Sequence, residues 1–120
     1  MPRRARHYRL GLLAETVSMI VLCMKGYHIL ARRFRTPLGE IDLIAKRGKT
    51  IAFIEVKARN DRTLLAESVS THQKRRIAKA ATYFLASRPQ LTYCTFRFDI
   101  YLVSPWHWPQ HIKNAWESRE

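Results

Sequence analysis

The sequence predicts a mixed α/β fold in the order α-β-β-β-α-β, an α+β arrangement in which helices flank a mixed four-stranded sheet. Three observations predict it. Two strand-length runs, residues 40–45 and 51–57, are separated by the turn-forming stretch Lys46-Arg47-Gly48-Lys49, which is the pattern of an antiparallel hairpin. Residues 71–87 carry an apolar stripe at helical spacing, made by Ile77, Ala81, Phe84 and Leu85, with Ser70 or Thr71 available as an N-cap and Pro89 beyond the end. The following run, TFRFDIYLV over residues 95–103, reads as a strand, and a strand that returns after a helix packed on a sheet usually lies parallel to its neighbour.

Each element can be justified in turn. Residues 1–9 are basic and 12–24 largely apolar, a superficial likeness to a secretory signal. Glu15 interrupts the apolar run, no small-residue cleavage site follows, and the uncharged stretch 16–24 is far too short to cross a membrane. The segment is therefore read as a helix over about 12–24 behind a basic N-terminal arm, residues 1–10. On that helix Glu15 can look toward the core or stand exposed to solvent. Residues 27–35 form the first strand, with Arg32, Arg33 and Arg35 at its end, able to grip a phosphate backbone or to act as solvated charges that deter edge pairing. In the strand 51–57, Glu55 and Lys57 share one face, while Ala52, Ile54 and Val56 take the other. On the second helix, Lys74 extends the apolar stripe by one turn and sits near the sheet, either to contact a phosphate or to cover apolar surface with its stem. The loop SPWHWP, residues 104–109, offers Trp106 and Trp108 for packing or for base stacking, and the tail 110–120 docks on the core through Ile112, Ala115 and Trp116. No linker or repeat divides the chain, so 1–120 reads as one domain.

Composition narrows the partner. Twenty-two Lys and Arg face nine acids, a formal charge of +13, and this favours a polyanion through counterion release. Nucleic acid is the first expectation; a ribosomal surface or an anionic membrane face would attract the same charge, although no segment is built to span a bilayer. Hydrophobic residues make up 47% of the chain, enough for a real core. Cys23 and Cys94 lack C-x-x-C spacing, which argues against zinc and redox motifs and for a reduced, cytoplasmic protein. His107 and His111 have i,i+4 spacing, but Pro109 between them is incompatible with a regular helical ligand pair.

The hairpin carries the chemistry. If the two strands pair, Asp42 comes opposite Glu55, and two carboxylates can hold Mg²⁺ or Mn²⁺, ions that take oxygen ligands and bridge to phosphate oxygens. Lys57 on the same face as Glu55 can orient or help deprotonate an attacking water, or neutralise charge on the phosphoryl group. An isolated E-x-K pair is also compatible with a plain ion pair on an exposed strand. Here the strand is apolar on both faces up to the charges, which is the pattern of a central strand.

The spacing D-x12-E-x-K resembles the PD-(D/E)XK nuclease superfamily. The fuller set, GYHILAR at 26–32, GEIDLIA at 39–45, FIEVKAR at 53–59, KRRI at 74–77, AATYFL at 80–85, RFD at 97–99 and HIKNAW at 111–116, resembles the YraN-like family of predicted endonucleases over nearly the whole chain. That resemblance implies a restriction-endonuclease-like core related to Holliday-junction resolvases. It also implies Asp42, Glu55 and Lys57 as the catalytic set, completed by Glu15 from the first helix. Arg33 stands where the family usually has Asn, and the glycine expected after the E-x-K strand is missing from residues 60–65. The Q-x-x-x-Y pattern of RecB-type nucleases is absent as well, since Ile77 follows Gln73 at that spacing. The expected activity is metal-dependent hydrolysis of DNA phosphodiesters, including branched or junction DNA. Lys74, Arg59, Arg75, Arg32 and Arg35 are the nucleic-acid-binding candidates, and a homodimer could cut both strands. The alternative is a nucleic-acid-binding module that kept the fold without catalysis.

Overall fold

A computed structural model describes residues 3–58, 69–104 and 107–116, with the side chains of the first helix described from residue 13 onward. Arg59, the 60–65 loop and Trp106 lie outside the described residues. The elements run α1 (Arg3–Met24), β1 (His28–Thr36), β2 (Gly39–Arg47), β3 (Thr50–Ala58), α2 (Thr71–Ala86), a 3-10 turn (Pro89–Leu91), β4 (Thr95–Val103) and β5 (Gln110–Trp116). α1 starts at Arg3 rather than near residue 12, so the basic segment expected as an arm is helical from its third residue. Among the described residues, no helix is long and apolar enough to cross a membrane.

The sheet has five strands in the order β1-β2-β3-β4-β5, not the four expected from the sequence. β1, β2 and β3 form an antiparallel meander, closed at the β2–β3 end by a two-residue connection in which Gly48 supplies a φ of 63°. β3 then pairs with β4 in parallel, from Thr50↔Thr95 to Ala58↔Val103, through the α2 crossover. This places β3 centrally, as its apolar pattern predicts. Ala52 and Ile54 join Leu22, Tyr27, Leu43, Ala45 and Tyr101 in a core on the α1 side. Ile51 and Phe53 join Ile44, Ile77, Phe84, Phe98 and Trp116 in a second core under α2. The helix that covers this second face is capped as its sequence suggests: Ser70 Oγ accepts from Gln73 N at 3.1 Å.

The extra strand is the tail that was expected only to dock. Its pattern escapes a period-two reading because it is bulged. The β4–β5 register shifts between Phe98↔Trp116 and Ile100↔Ile112, and Asn114 takes a φ of 53°. The Asn114 N–H finds its acceptor in Asp99 Oδ1 at 2.9 Å. The same fully buried carboxylate accepts from Arg97 Nε at 3.0 Å and meets His111 Nε2 at 2.6 Å, while Arg97 also donates to the Tyr27 hydroxyl. One aspartate therefore ties β4, β5 and the α1–β1 connection together. Replacing it in Asp99→Ala strands a partly buried guanidinium and an orphan bulge N–H, and we expect a loss of about 3–5 kcal/mol in urea unfolding. A loss under about 1 kcal/mol would mean that water replaces the carboxylate at no cost.

Close approach of α2 to β2 fixes the other side of the sheet. A Cβ on Gly39 would meet the Arg76 carbonyl oxygen at 2.1 Å and its carbonyl carbon at 2.6 Å, so the strand passes directly against the helix backbone. Both contacts are main chain and cannot swing aside. Gly39→Ala is expected to destabilise by about 2–4 kcal/mol in thermal or urea melts, and wild-type stability would refute this packing.

Candidate active site

The β2–β3 register is what brings the acids together. Its observed pairs run from Arg47↔Thr50 to Leu43↔Ile54, and the next position in the same register sets Asp42 across from Glu55. There the ladder opens. The Asp42 carboxylate takes over the role of a backbone partner, with Oδ2 accepting from Val56 N at 2.9 Å. Ile54 and Val56 pack toward the α1 side, so strand alternation sends Glu55 and Lys57 the other way. Lys57 Nζ stands 3.8 Å from Glu55 Oε1, and both side chains are largely withdrawn from solvent. Three of the four residues expected to be catalytic thus meet at the open end of the central hairpin.

The electrostatics of this cluster favour a cation. Burial, followed by the negative charge and hydrogen bond of Asp42, pushes the Glu55 carboxyl up to about 8; Lys57 opposes that rise and Glu40 adds slightly to it. Burial and the Asp42 charge thus favour the protonated form of Glu55. A site that holds a proton against its ordinary carboxylate chemistry is one where a divalent ion can take the proton's place. The donor set is oxygen only, which suits Mg²⁺ or Mn²⁺ better than zinc or copper. Among the described residues, no group of three or more metal-ligating side chains occurs. Two carboxylates are nonetheless sufficient for Mg²⁺, which commonly binds one or two of them and retains waters.

Glu15 sits differently from this trio. Its Oε2 accepts from Arg33 Nε at 2.9 Å, and the charges that act on Glu55 are those of Asp42, Lys57 and Glu40. Arg33 lies between the pairs Arg32↔Leu43 and Phe34↔Ile41, across from Asp42, with a φ of 48°. Asparagine tolerates that region better than most residues, and arginine is uncommon there. Here the arginine accepts the strain and links Glu15 to β1, the strand paired with the one that carries Asp42. Sequence spacing alone could not reveal this pair.

The expected nucleic-acid contacts are distributed over the surface. Arg32 and Arg75 are exposed, and Arg35 forms a solvent-facing pair with Glu40 at 3.4 Å. Lys74 lies near the sheet as predicted, with Nζ 5.9 Å from the centre of the Trp116 ring.

The fold and site together define a small mixed α/β protein that sets two carboxylates and a lysine at the splayed end of its central hairpin. The chain belongs to the uncharacterised protein family UPF0102, whose model matches residues 14–103. A UPF0102 protein of Methylorubrum extorquens is 47% identical over 115 residues, covering 96% of this chain and 89% of the relative. One from Parvibaculum lavamentivorans is 45% identical over 109 residues, 91% of this chain and 82% of the relative. One from Chelativorans is 45% identical over 116 residues, 97% and 94% respectively. The matched region contains Glu15, Asp42, Glu55 and Lys57 and stops before β5.

Proposed function

We propose that this protein is a metal-dependent nuclease that hydrolyses phosphodiester bonds in DNA on a restriction-endonuclease-like core. The observation that carries the reading is the contact of Asp42 with Glu55 beside Lys57, where burial and Asp42 raise the Glu55 carboxyl to about 8. The +13 charge supports a nucleic-acid substrate. In this reading Asp42 and Glu55 hold Mg²⁺ or Mn²⁺, which when bound supplies Lewis acidity and charge neutralisation at the scissile phosphate. Val56 N–H fixes one oxygen of Asp42 and so holds the carboxylate beside Glu55. Lys57 Nζ holds the attacking water or meets the charge that grows on the phosphoryl oxygens. Glu15 acts through Arg33 to position the strand bearing Asp42. Lys74, Arg75, Arg32 and Arg35, with Arg59 beyond the described residues, bind the flanking phosphates.

The test is a panel of labelled single-stranded, duplex, flap and four-way-junction DNA incubated with Mg²⁺ or Mn²⁺, and with EDTA as control. Metal-dependent products support the nuclease. Binding with steep salt dependence but no product, at any metal or enzyme concentration, would assign the fold to a non-catalytic nucleic-acid-binding role instead.

A further inference from the structure

The opposite end of the sheet carries a second basic and aromatic surface that the proposed catalysis does not use. At the β2–β3 turn, Lys49 is exposed and Lys46 is half-buried, while Arg47 turns to the other face, its guanidinium 4.6 Å from the centre of the Tyr27 ring. Beside them Tyr93 is 58% exposed and Phe96 52% exposed. Lys46 Nζ lies 5.6 Å from the centre of the Tyr93 ring, holding cation and aromatic face together. The two segments are locked to each other, since Thr95 N donates to the Lys49 carbonyl at 2.8 Å and the Thr50 and Thr95 hydroxyls lie 3.3 Å apart. Phe96 sits edge-on to Phe53 and Phe98, a packing that fixes its ring while leaving half of it in solvent. No described acid competes for this surface. Glu15 pairs with Arg33, Glu40 with Arg35, Asp42 and Glu55 lie toward the other end of their strands, and Asp99 is buried.

We infer that this end of the sheet binds single-stranded nucleic acid, with bases stacking on Tyr93 and Phe96 and phosphates meeting Lys46 and Lys49. Fixed aromatic faces interleaved with cations suit unpaired bases, whose π-faces are accessible, and offer nothing comparable to a duplex. At about 3.3 Å per residue, Lys49 stands on the order of 20 Å along β3 from Glu55. The surface would thus hold an unpaired arm at a fixed distance from the acid pair. This deepens the nucleic-acid reading above and does not depend on cleavage.

The experiment is fluorescence anisotropy with labelled oligothymidylate, oligouridylate and a duplex of equal length, in EDTA so that cutting plays no part. Tyr93→Ala removes an exposed ring, and Phe96→Leu keeps apolar packing while removing the π-face. Each is expected to weaken single-strand binding roughly 5- to 100-fold and duplex binding less than 2-fold. Lys46→Ala with Lys49→Ala should weaken single-strand binding and lower its salt slope by roughly 1–2. Loss with either oligomer supports the surface and tells which sugar it accepts. Single-strand affinity unchanged in both aromatic variants, or lost equally for duplex, overturns it. If the wild type binds no nucleic acid at all, the nuclease reading falls too; metal-dependent cutting with unaffected aromatic variants sinks the surface alone.

Discussion

Lys57→Ala and Asp42→Asn are each expected to reduce DNA cleavage by roughly 10²–10³-fold or more while leaving the fold and DNA affinity close to wild type. Lys57 contributes the ammonium 3.8 Å from Glu55, and no other Lys or Arg is among the groups acting on that carboxyl. Removing it costs the water-orienting or charge-stabilising group at the reacting centre. Asn is chosen over Ala at position 42 because its carbonyl can still accept from Val56 N–H, so the splayed strand keeps its shape. What is lost is the negative charge. Steady-state rates on the best substrate of the panel, with circular dichroism and anisotropy in parallel, decide the matter. Wild-type turnover in either variant would exclude the acid pair and lysine as the active site.

Glu55→Gln should stabilise the metal-free protein, and increasingly so as pH rises. The sign follows from linkage. The Glu55 carboxyl titrates near 4.5 when the chain is unfolded and near 8 when folded, so between those values the folded state binds the extra proton and stability falls with increasing pH. Gln neither titrates nor repels Asp42. The advantage of the variant should therefore be small at pH 4.5, grow through neutrality and level off above pH 8, reaching on the order of 2–4 kcal/mol. Urea unfolding at several pH values in EDTA measures it. Parallel curves for the two proteins would show that Glu55 keeps an ordinary carboxyl in the fold. Added Mg²⁺ or Mn²⁺ should stabilise the wild type and not the variant, because an ion that binds only the folded state adds its binding free energy to folding.

Much of this arrangement was legible in the residues. The two-residue turn Gly48-Lys49, narrower than the 46–49 stretch read from the sequence, sets the hairpin register, and in that register Asp42 comes opposite Glu55. The parallel return of β4 followed from the helix between the strands, and the β3–β4 ladder has that sense. β5 was hidden because its bulge at Asn114 breaks alternation and its apolar residues, Ile112, Ala115 and Trp116, do not fall on one strand face. Asp99 offered a signal that went unread. A charge within FDIYLV needs buried partners, and Arg97 two residues earlier shares its face. Glu15 was the hardest to place, since a helix residue's partner across the fold depends on packing that no local spacing encodes.

The parallel pairing of β3 with β4 also governs when the acid pair becomes rigid during folding. The meander β1–β2–β3 closes through short turns, so Asp42 and Glu55 can approach each other early and locally. β3 acquires its second neighbour only when Thr95 reaches Thr50, 45 residues away in sequence. Closing that loop is an entropic search, and such searches dominate the folding time of mixed sheets. The strand bearing Glu55 and Lys57 is therefore held on one side first and on both sides last. Nascent or partly unfolded chains would carry the complete set of site residues on a hairpin too loose to keep the two carboxyls in contact. In kinetic terms, competence at the site is a late event of folding.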